Sequence, residues 1–192
     1  MNAFLTRLGI RPEIQDWLAP YYHTDDMGNL CFPYGNDTEI YGMAFHRVPL
    51  KGGCWKAGAE NLADQTVLCS SAMEAIAWLN CHTVNLDQLL LIATCSKISL
   101  PSLPASKKVL VFGNDLLGNV CDLKAASILA GQPVRISVEQ NTVYITFRHR
   151  RFSLPAETFS LNAFQRISGY RFPVKTSKPR QHSSWLNQLL NI

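Results

Sequence analysis

The chain has 192 residues, of which 47% are hydrophobic and 17% charged, and its formal net charge is +4. These values are those of an ordinary globular protein with one well-buried core, or one domain with a smaller appendage. Its apolar runs are far too short to cross a bilayer, and residues 1–10 lack the pattern of a signal peptide, so we expect a soluble cytoplasmic protein without membrane contact.

Residues 1–59 predict two short helices and an antiparallel meander. Asn2 can cap the first helix, and Pro12 fits the first turn of the second. Two turn clusters follow, at residues 26–29 and 35–37, and the segments around them have the aromatic or alternating pattern of strands. The strands of this meander are expected over residues 30–34 and 39–48.

Residues 60–132 predict an α/β unit with a mostly parallel sheet. Short apolar strands alternate here with helical patterns, which is the arrangement of successive βαβ units. Ser70 and Ser71 are suited to cap the first helix, and Gly131 is suited to end the second. The strands are expected over residues 66–69, 89–94 and 109–112, and the helices over residues 72–80 and between 117 and 131.

Residues 133–192 predict a basic β-hairpin and a helical extension. The hairpin is expected to consist of a strand over residues 134–138, a turn at residues 139–141 and a long second strand. Gly169 is suited to end the helix that follows it. This extension is expected to contain helices over residues 161–168 and 185–190, with a basic, linker-like segment at 175–184.

Positive charge is concentrated in residues 133–192. That part has 9 Lys and Arg against 2 Asp and Glu, a net charge of +7, whereas residues 1–132 have 9 against 12, a net charge of −3. Such asymmetry indicates a polyanionic partner, usually nucleic acid, although a solvated face or a site for an acidic partner has the same signature.

The best binding candidate is the basic run Arg148, His149, Arg150 and Arg151. On a continuous strand, Arg148 and Arg150 would point to one side, and His149 and Arg151 to the other. One face could then meet a phosphate backbone. The alternative is an edge strand that uses charge to prevent pairing with other chains.

Other chemistry-bearing residues give weaker signals. Lys51 and Lys56 flank two glycines that could cradle a phosphate, but the segment lacks the spacing of a P-loop. The six cysteines are never closer than twelve residues, which excludes CxxC zinc pairs and favours reduced cytoplasmic thiols. The five histidines have no metal-ligand spacing.

Residues 67–79, 90–96 and 108–131 together resemble three successive strands of a Toprim domain, the metal-dependent catalytic module of bacterial primases, topoisomerases and related nucleases. In that family the first strand ends in a glutamate, followed four residues later by another acid, and the third ends in Asp-x-Asp-x-x-Gly. Residues 30–50 are similar to the meander that precedes Toprim in primases. The resemblance covers about residues 10–131 and leaves the basic end outside.

The acids of the family's motif are only partly present. The glutamate position falls on Ser70 and the later acid on Glu74, while the Asp-x-Asp-x-x-Gly positions begin at Gly113, keep Asp115 and end at Gly118. The resemblance implies a glutamate for proton transfer and aspartates that hold Mg²⁺, so two of three acids are missing. We therefore expect a remnant site, formed by Ser70, Glu74 and Asp115, that binds either no cofactor or Mg²⁺ weakly through Glu74 and Asp115.

The resemblance and the basic end imply a non-catalytic Toprim-like protein that binds single- or double-stranded DNA and assists replication or mobilisation of a mobile element. A second hypothesis is a Mg²⁺-dependent nucleotidyl transferase or nuclease with a reorganised site at Glu74 and Asp115. A third is a protein-interaction module whose replication or mobilisation partner supplies catalysis. The expected fold class is α/β: a Toprim-like, mostly parallel sheet flanked by helices, with an N-terminal antiparallel meander and a C-terminal basic β-hairpin plus helix.

Overall fold

A computed structural model describes residues 1–94, 103 and 107–191 of the chain. No helix among them combines the length and apolar character that a membrane span requires. The helices are α1 (Ala3–Arg7), α2 (Pro12–Leu18), α3 (Ala72–Asn80), α4 (Leu116–Leu129), α5 (Leu161–Ser168) and α6 (Trp185–Leu190). The strands are β1 (His23–Thr24), β2 (Leu30–Pro33), β3 (Thr38–Tyr41), β4 (His46–Arg47), β5 (Cys54–Gly58), β6 (Gln65–Cys69), β7 (Leu89–Thr94), β8 (Lys107–Leu110), β9 (Val134–Glu139), β10 (Thr142–Phe147), β11 (Arg150–Pro155) and β12 (Lys175–Thr176).

A five-stranded sheet lies at the centre of the molecule, with the strand order β12-β8-β6-β7-β5. Strands β12, β8, β6 and β7 are parallel, and β5 adds to β7 in the antiparallel direction. Every residue of β7 is buried, as expected for a parallel strand that is covered on both faces. The predicted α/β class with parallel strands is therefore confirmed.

The two faces of this central sheet contribute to two hydrophobic cores. Val67 and Cys69 of β6 pack with α3, α6 and the N-terminal helices. Leu68 packs with α4, α5 and the C-terminal strands. Successive strand residues point to opposite faces, so the apolar run of β6 supplies both cores.

The predicted N-terminal meander is present as a four-stranded antiparallel sheet in the order β1-β2-β3-β4. Its aromatic residues belong to the first core, where Phe32 and Tyr34 are fully buried. On the neighbouring β5, the buried Trp55 donates its indole N–H to the carbonyl oxygen of Tyr21 at 2.7 Å. This contact ties the N-terminal helices to the edge of the central sheet.

The C-terminal hairpin continues into a third strand, forming an antiparallel sheet in the order β11-β10-β9. The predicted turn is present at Gln140 and Asn141, whose φ angles are 46° and 64°. A second turn of the same kind is formed by Arg148 and His149, with φ angles of 48° and 63°. Such two-residue turns match the twist of adjacent strands. The interpretation of the basic run as part of one long strand is therefore wrong.

Residues 175–191, which we name the C-terminal strap, return to the central sheet. Strand β12 pairs with β8, and the backbone N–H of Ser177 donates to the carbonyl oxygen of Leu110 at 2.8 Å. The indole of Trp78 donates to the Ser177 hydroxyl at 3.2 Å, and α6 packs against α3. The segment expected to be a linker thus contains a strand and several anchors, and the predicted last helix is confirmed.

Candidate nucleic-acid interface and remnant acid site

The three residues of the remnant site line one cleft at the carboxyl ends of the parallel strands. Ser70 follows β6, Glu74 lies in the first turn of α3, and Asp115 precedes α4. They line a cleft of about 150 Å³ together with Gly113 and Ser184. The structure therefore brings together the residues that the resemblance aligns with the acids of Toprim.

The carboxylate of Glu74 is engaged by the C-terminal strap. It accepts hydrogen bonds from the backbone N–H groups of Trp185 at 2.8 Å and Leu186 at 3.4 Å. These N–H groups are at the start of α6, where a helix has unpaired donors and a positive dipole end. Burial raises the pKa of Glu74, and its hydrogen bonds with the strap partly oppose that effect. Glu74 therefore holds α6 in place, a role the sequence does not reveal because 111 residues separate the partners.

Asp115 is the N-cap of α4. Its carboxylate accepts a hydrogen bond from the backbone N–H of Gly118 at 2.7 Å. A Cβ atom at Gly118 would lie only 2.0 Å from the carbonyl oxygen of Gly113, so the tight turn requires glycine there. Both the acid and the glycine thus have a structural task at the start of this helix.

Gly113 occupies the position of the first motif aspartate, and the strap leaves it no room for a side chain. A Cβ atom there would lie 2.6 Å from the carbonyl oxygen of Ser183. That oxygen also accepts a hydrogen bond from the backbone N–H of Asn114 at 2.7 Å, which holds the strap against the end of β8. The strap therefore excludes from this position the acid that the family's motif contains.

The hydroxyl groups of the two serines after β6 have different environments. Ser71 is buried and caps α3 by accepting a hydrogen bond from the backbone N–H of Glu74 at 3.2 Å. Ser70 is exposed and lines the cleft. The predicted serine cap is confirmed for Ser71, and Ser70 offers the cleft a neutral oxygen.

Sequence reasoning missed a fully buried acid, Glu39, which reaches the start of α3 from the meander. Its carboxylate accepts hydrogen bonds from the backbone N–H groups of Ala72 at 2.7 Å and Met73 at 3.1 Å. It also accepts one from the Tyr34 hydroxyl at 2.6 Å and lies 2.8 Å from His46 Nε2. Burial is the larger cause, and the nearby charge of Glu39 the second, of a pKa of Tyr34 that lies far above its usual value. In β3, Glu39 and Tyr41 are buried, and the sequence does not reveal this for Glu39 because a charged residue is expected on the outer face.

A second buried acid, Asp122, anchors the strap from the other side of the cleft. The Lys178 ammonium lies 2.7 Å from its Oδ2 atom and donates a hydrogen bond to the carbonyl oxygen of Gly113 at 2.6 Å. Burial raises the pKa of Asp122 to about 6, although the Lys178 charge acts in the opposite direction. The strap is thus held by an ion pair as well as by backbone hydrogen bonds.

The remnant site contains few protein ligands for a Mg²⁺ ion. Glu74 and Asp115 are the only acids among the described residues that line the cleft, and each accepts backbone hydrogen bonds at a helix start. Throughout residues 1–94, 103 and 107–191, no group of three His, Cys, Asp or Glu side chains is placed to hold a metal ion. Mg²⁺ is usually held by one or two carboxylates, with waters completing its octahedral shell, and both oxygens of Glu74 already accept backbone N–H groups of the strap.

The basic run lies at the tip of the C-terminal sheet rather than along one strand. Arg148 and His149 form the turn, Arg150 pairs with Phe147, and Arg151 pairs with Thr146. The predicted alternation, with Arg148 beside Arg150 and His149 beside Arg151, is therefore wrong, because the turn interrupts the strand. Arg150 and Arg151 do point to opposite faces of the sheet, as adjacent strand residues must.

Arg135 on β9, which sequence reasoning did not single out, joins this cluster. It pairs across the strands with Thr146, which in turn pairs with Arg151, so the two arginines stand on one face. We name the surface formed by Arg135, Arg148, His149 and Arg151 the basic face. A groove of about 500 Å³ in it is lined by Gln132, Pro133, Arg135, Thr146, Arg148 and His149.

Aromatic rings hold the arginines of this region in place. The Arg151 guanidinium lies 4.6 Å from the centre of the Tyr144 ring. Arg148 lies 4.5 Å from the Tyr170 ring, and its Nε donates to Gln132 at 2.9 Å. Stacked guanidinium groups keep their hydrogen-bond donors available and lose less freedom when they bind an anion.

The other two predicted phosphate-binding residues belong to a different element. Lys51 is exposed in the loop between β4 and β5. Lys56 lies on β5, at the edge of the central sheet opposite to β12, and its ammonium pairs with Glu60 at 2.6 Å. Neither belongs to the basic face, and the ion pair reduces the charge that Lys56 can offer to a phosphate.

Comparison with family models, with curated proteins and with solved structures finds no match to this chain. The resemblance to Toprim therefore rests on the order of the strands and on Glu74, Asp115 and Gly118.

Proposed function

We propose that the protein binds nucleic acid through the basic face and has no phosphoryl-transfer activity at its remnant site. The observation that carries the proposal is the groove of the basic face, where Arg135, Arg148 and His149 converge and none of the described lining residues is a carboxylate. Clustered arginines without nearby acids attract a phosphate backbone and release its counterions.

The aromatic partners of the arginines favour a single strand over a duplex. Tyr144 lies on the central strand of the C-terminal sheet, between Ser137 and Ser153 on the neighbouring strands. A three-stranded sheet with a central ring and flanking cations offers both phosphate contacts and a surface on which bases can stack.

The contacts of the remnant acids support the non-catalytic part of the proposal. Glu74 and Asp115 each accept backbone hydrogen bonds from the start of a helix, and Gly113 has no space for an acid. A general base needs a lone pair that faces the substrate, and phosphoryl transfer needs several charges on the transferred group. An accessory role in replication or mobilisation of a mobile element is what the resemblance implies for such a protein.

The test is a fluorescence-anisotropy titration with single-stranded and duplex DNA at several salt concentrations. We expect tighter binding of the single strand and an affinity that falls linearly on a log–log plot against salt. The variant Arg135→Ala/Arg151→Ala should reduce the steepness of this plot by roughly 1 to 2, because each lost phosphate contact removes about 0.7 to 0.9.

The matched control is Arg7→Ala/Lys107→Ala, which removes the same charge from exposed positions outside the basic face. Equal losses of affinity in the two double variants would show that only net charge matters and would contradict the proposed interface. Cleavage or extension of the DNA by the wild-type protein with Mg²⁺ or Mn²⁺, lost in Asp115→Asn, would contradict the non-catalytic assignment.

A further inference from the structure

We propose that a second, larger cleft beside the remnant site binds a small amphipathic anion, meaning an apolar body with one negatively charged group. This apolar cleft has a volume of about 370 Å³ and lies between the loop after β4 and the first half of α4. Ser70, Thr94 and Phe112 bring to it the ends of three neighbouring parallel strands. Open α/β sheets bind ligands at such strand ends, in cavities of this size.

The walls of the apolar cleft suit an aliphatic or aromatic body. Phe112 is buried beneath it, and Val48 and Val120 are half-buried at its sides. Leu50 and Leu117 lie in its lining and remain 76% and 69% exposed. Leu117 thus gives the cleft an exposed apolar surface that a ligand could cover.

The basic side chains of the cleft suit a negatively charged group. Lys124 lies in its lining, and no carboxylate of the described residues is within ion-pair distance of this lysine. His46 is also in the lining, held 2.8 Å from the buried carboxylate of Glu39. The one acid of the lining, Glu74, is engaged by the strap and is 8% exposed. A single anionic group near Lys124 would therefore meet little repulsion.

This ligand is distinct from the nucleic acid of the proposed function. The basic face combines several arginines with polar groups, whereas the apolar cleft has one lysine, one histidine and mostly apolar walls. A phosphate backbone carries many charges in a row, and neighbouring phosphates would have no partners among the leucines and valines of the cleft. The two sites can therefore be tested separately.

The probe is octanoate, whose chain and carboxylate match the two features of the apolar cleft. In isothermal titration below the micelle concentration, we expect saturable binding of one octanoate per chain. Octanol, which has the same apolar chain but no charge, should bind more weakly by a factor of up to about five, the effect of one exposed ion pair.

Two surface variants should weaken octanoate binding without disturbing the fold. Leu117→Ser should reduce the affinity about tenfold, because it removes apolar contact with the chain. Lys124→Gln should reduce it about fivefold and abolish the preference for octanoate over octanol. The matched controls are Leu62→Ser, at a leucine that is 67% exposed elsewhere, and Lys107→Gln at the start of β8.

Absence of saturable octanoate binding to the wild-type protein would overturn the proposal. Equal losses of octanoate affinity in the cleft variants and in their controls would also overturn the proposal, because octanoate would then bind all over the apolar surface. Because none of these variants removes a residue of the basic face, nucleic-acid binding should be unchanged in all four.

Discussion

Gly113 lies where the Toprim resemblance would place an aspartate, and the strap packs against it. At the end of β8, the carbonyl oxygen of Ser183 occupies the place of a side chain and accepts the N–H of Asn114. An aspartate at this position and the observed path of the strap are therefore mutually exclusive. The same strap supplies the N–H donors that engage Glu74, so a single segment both fills the space beside Gly113 and binds the Glu74 carboxylate.

Gly113→Ala should destabilise the protein by about 1 to 3 kcal/mol, because the added Cβ would overlap backbone that cannot rotate away. Chemical denaturation followed by tryptophan fluorescence measures this loss. The control is Gly53→Ala, where the nearest atom to a new Cβ is 3.4 Å away and the effect should stay within about 0.5 kcal/mol. Equal stability of the Gly113 and Gly53 variants would show that the strap does not crowd the position.

Individual residues also mark the limit of what sequence could predict. The sequence predicts one site formed by Ser70, Glu74 and Asp115, and the structure places all three in one cleft. The reason is that parallel strands end at the same edge of a sheet. The partners of Glu74 and the buried position of Glu39 could not be predicted. Each depends on a contact between segments far apart in the chain, and local periodicity contains no such information.

At the scale of elements, the strap is the segment that packs over the remnant site and fixes its shape. It contributes the edge strand β12, the Lys178 ion pair with Asp122, and the start of α6. Its anchors lie on β8, α3 and α4, so the strap joins the two sides of the cleft. Buried ion pairs contribute little net stability but strongly penalise the loss of one partner, which favours a single position for the strap.

The Asp122 anchor predicts a specific pH dependence of stability. Its pKa is about 6 in the folded protein and near 4 when unfolded, so the folded state binds the proton more tightly. The free energy of unfolding should therefore fall by roughly 3 kcal/mol as pH rises from about 4 to above 6. Asp122→Asn should remove this fall relative to the wild type, measured by denaturation at several pH values.

The exposed Asp26→Asn is the control for that series and should follow the wild-type pH profile. Parallel profiles of the Asp122 variant and the wild type would contradict the assignment of the pH effect to this buried group. Glu74 acts in the same direction, since its pKa is also raised by burial, but it is present in both proteins being compared.

Among the elements, regular ones were predictable and exceptional ones were not. The apolar run of β7 and the capped helices α3 and α6 have strong local signals, and the structure contains them. The Arg148–His149 turn lacks the Asn-Gly or Asp-Gly pair that is typical of two-residue hairpin turns, so the local sequence favours a continuous strand there. Strand β12 has only two residues and pairs with the edge of β8, a contact for which the local sequence has no signal.

At the scale of the molecule, the positive charge is concentrated in one structural unit, the C-terminal sheet and the segments that follow it. The basic residues 133–192 provide the C-terminal sheet, which packs on α4 and α5 and turns its basic face outward. The strap, which belongs to the same basic region, packs over the remnant site formed by residues of the acidic segment 1–132. We infer a division of labour in which the α/β core positions the sheet and the sheet binds the polyanion.

The most direct test of this division is a ¹⁵N–¹H NMR titration of the intact protein with a short single-stranded oligonucleotide. Chemical-shift changes should concentrate on residues 132–151, and above all around Arg135, Tyr144 and Arg151. The proposed interface would be contradicted if the changes were concentrated at Ser70, Glu74 and Asp115 and the basic face were unaffected. Nucleic acid would then bind at the carboxyl ends of the parallel strands.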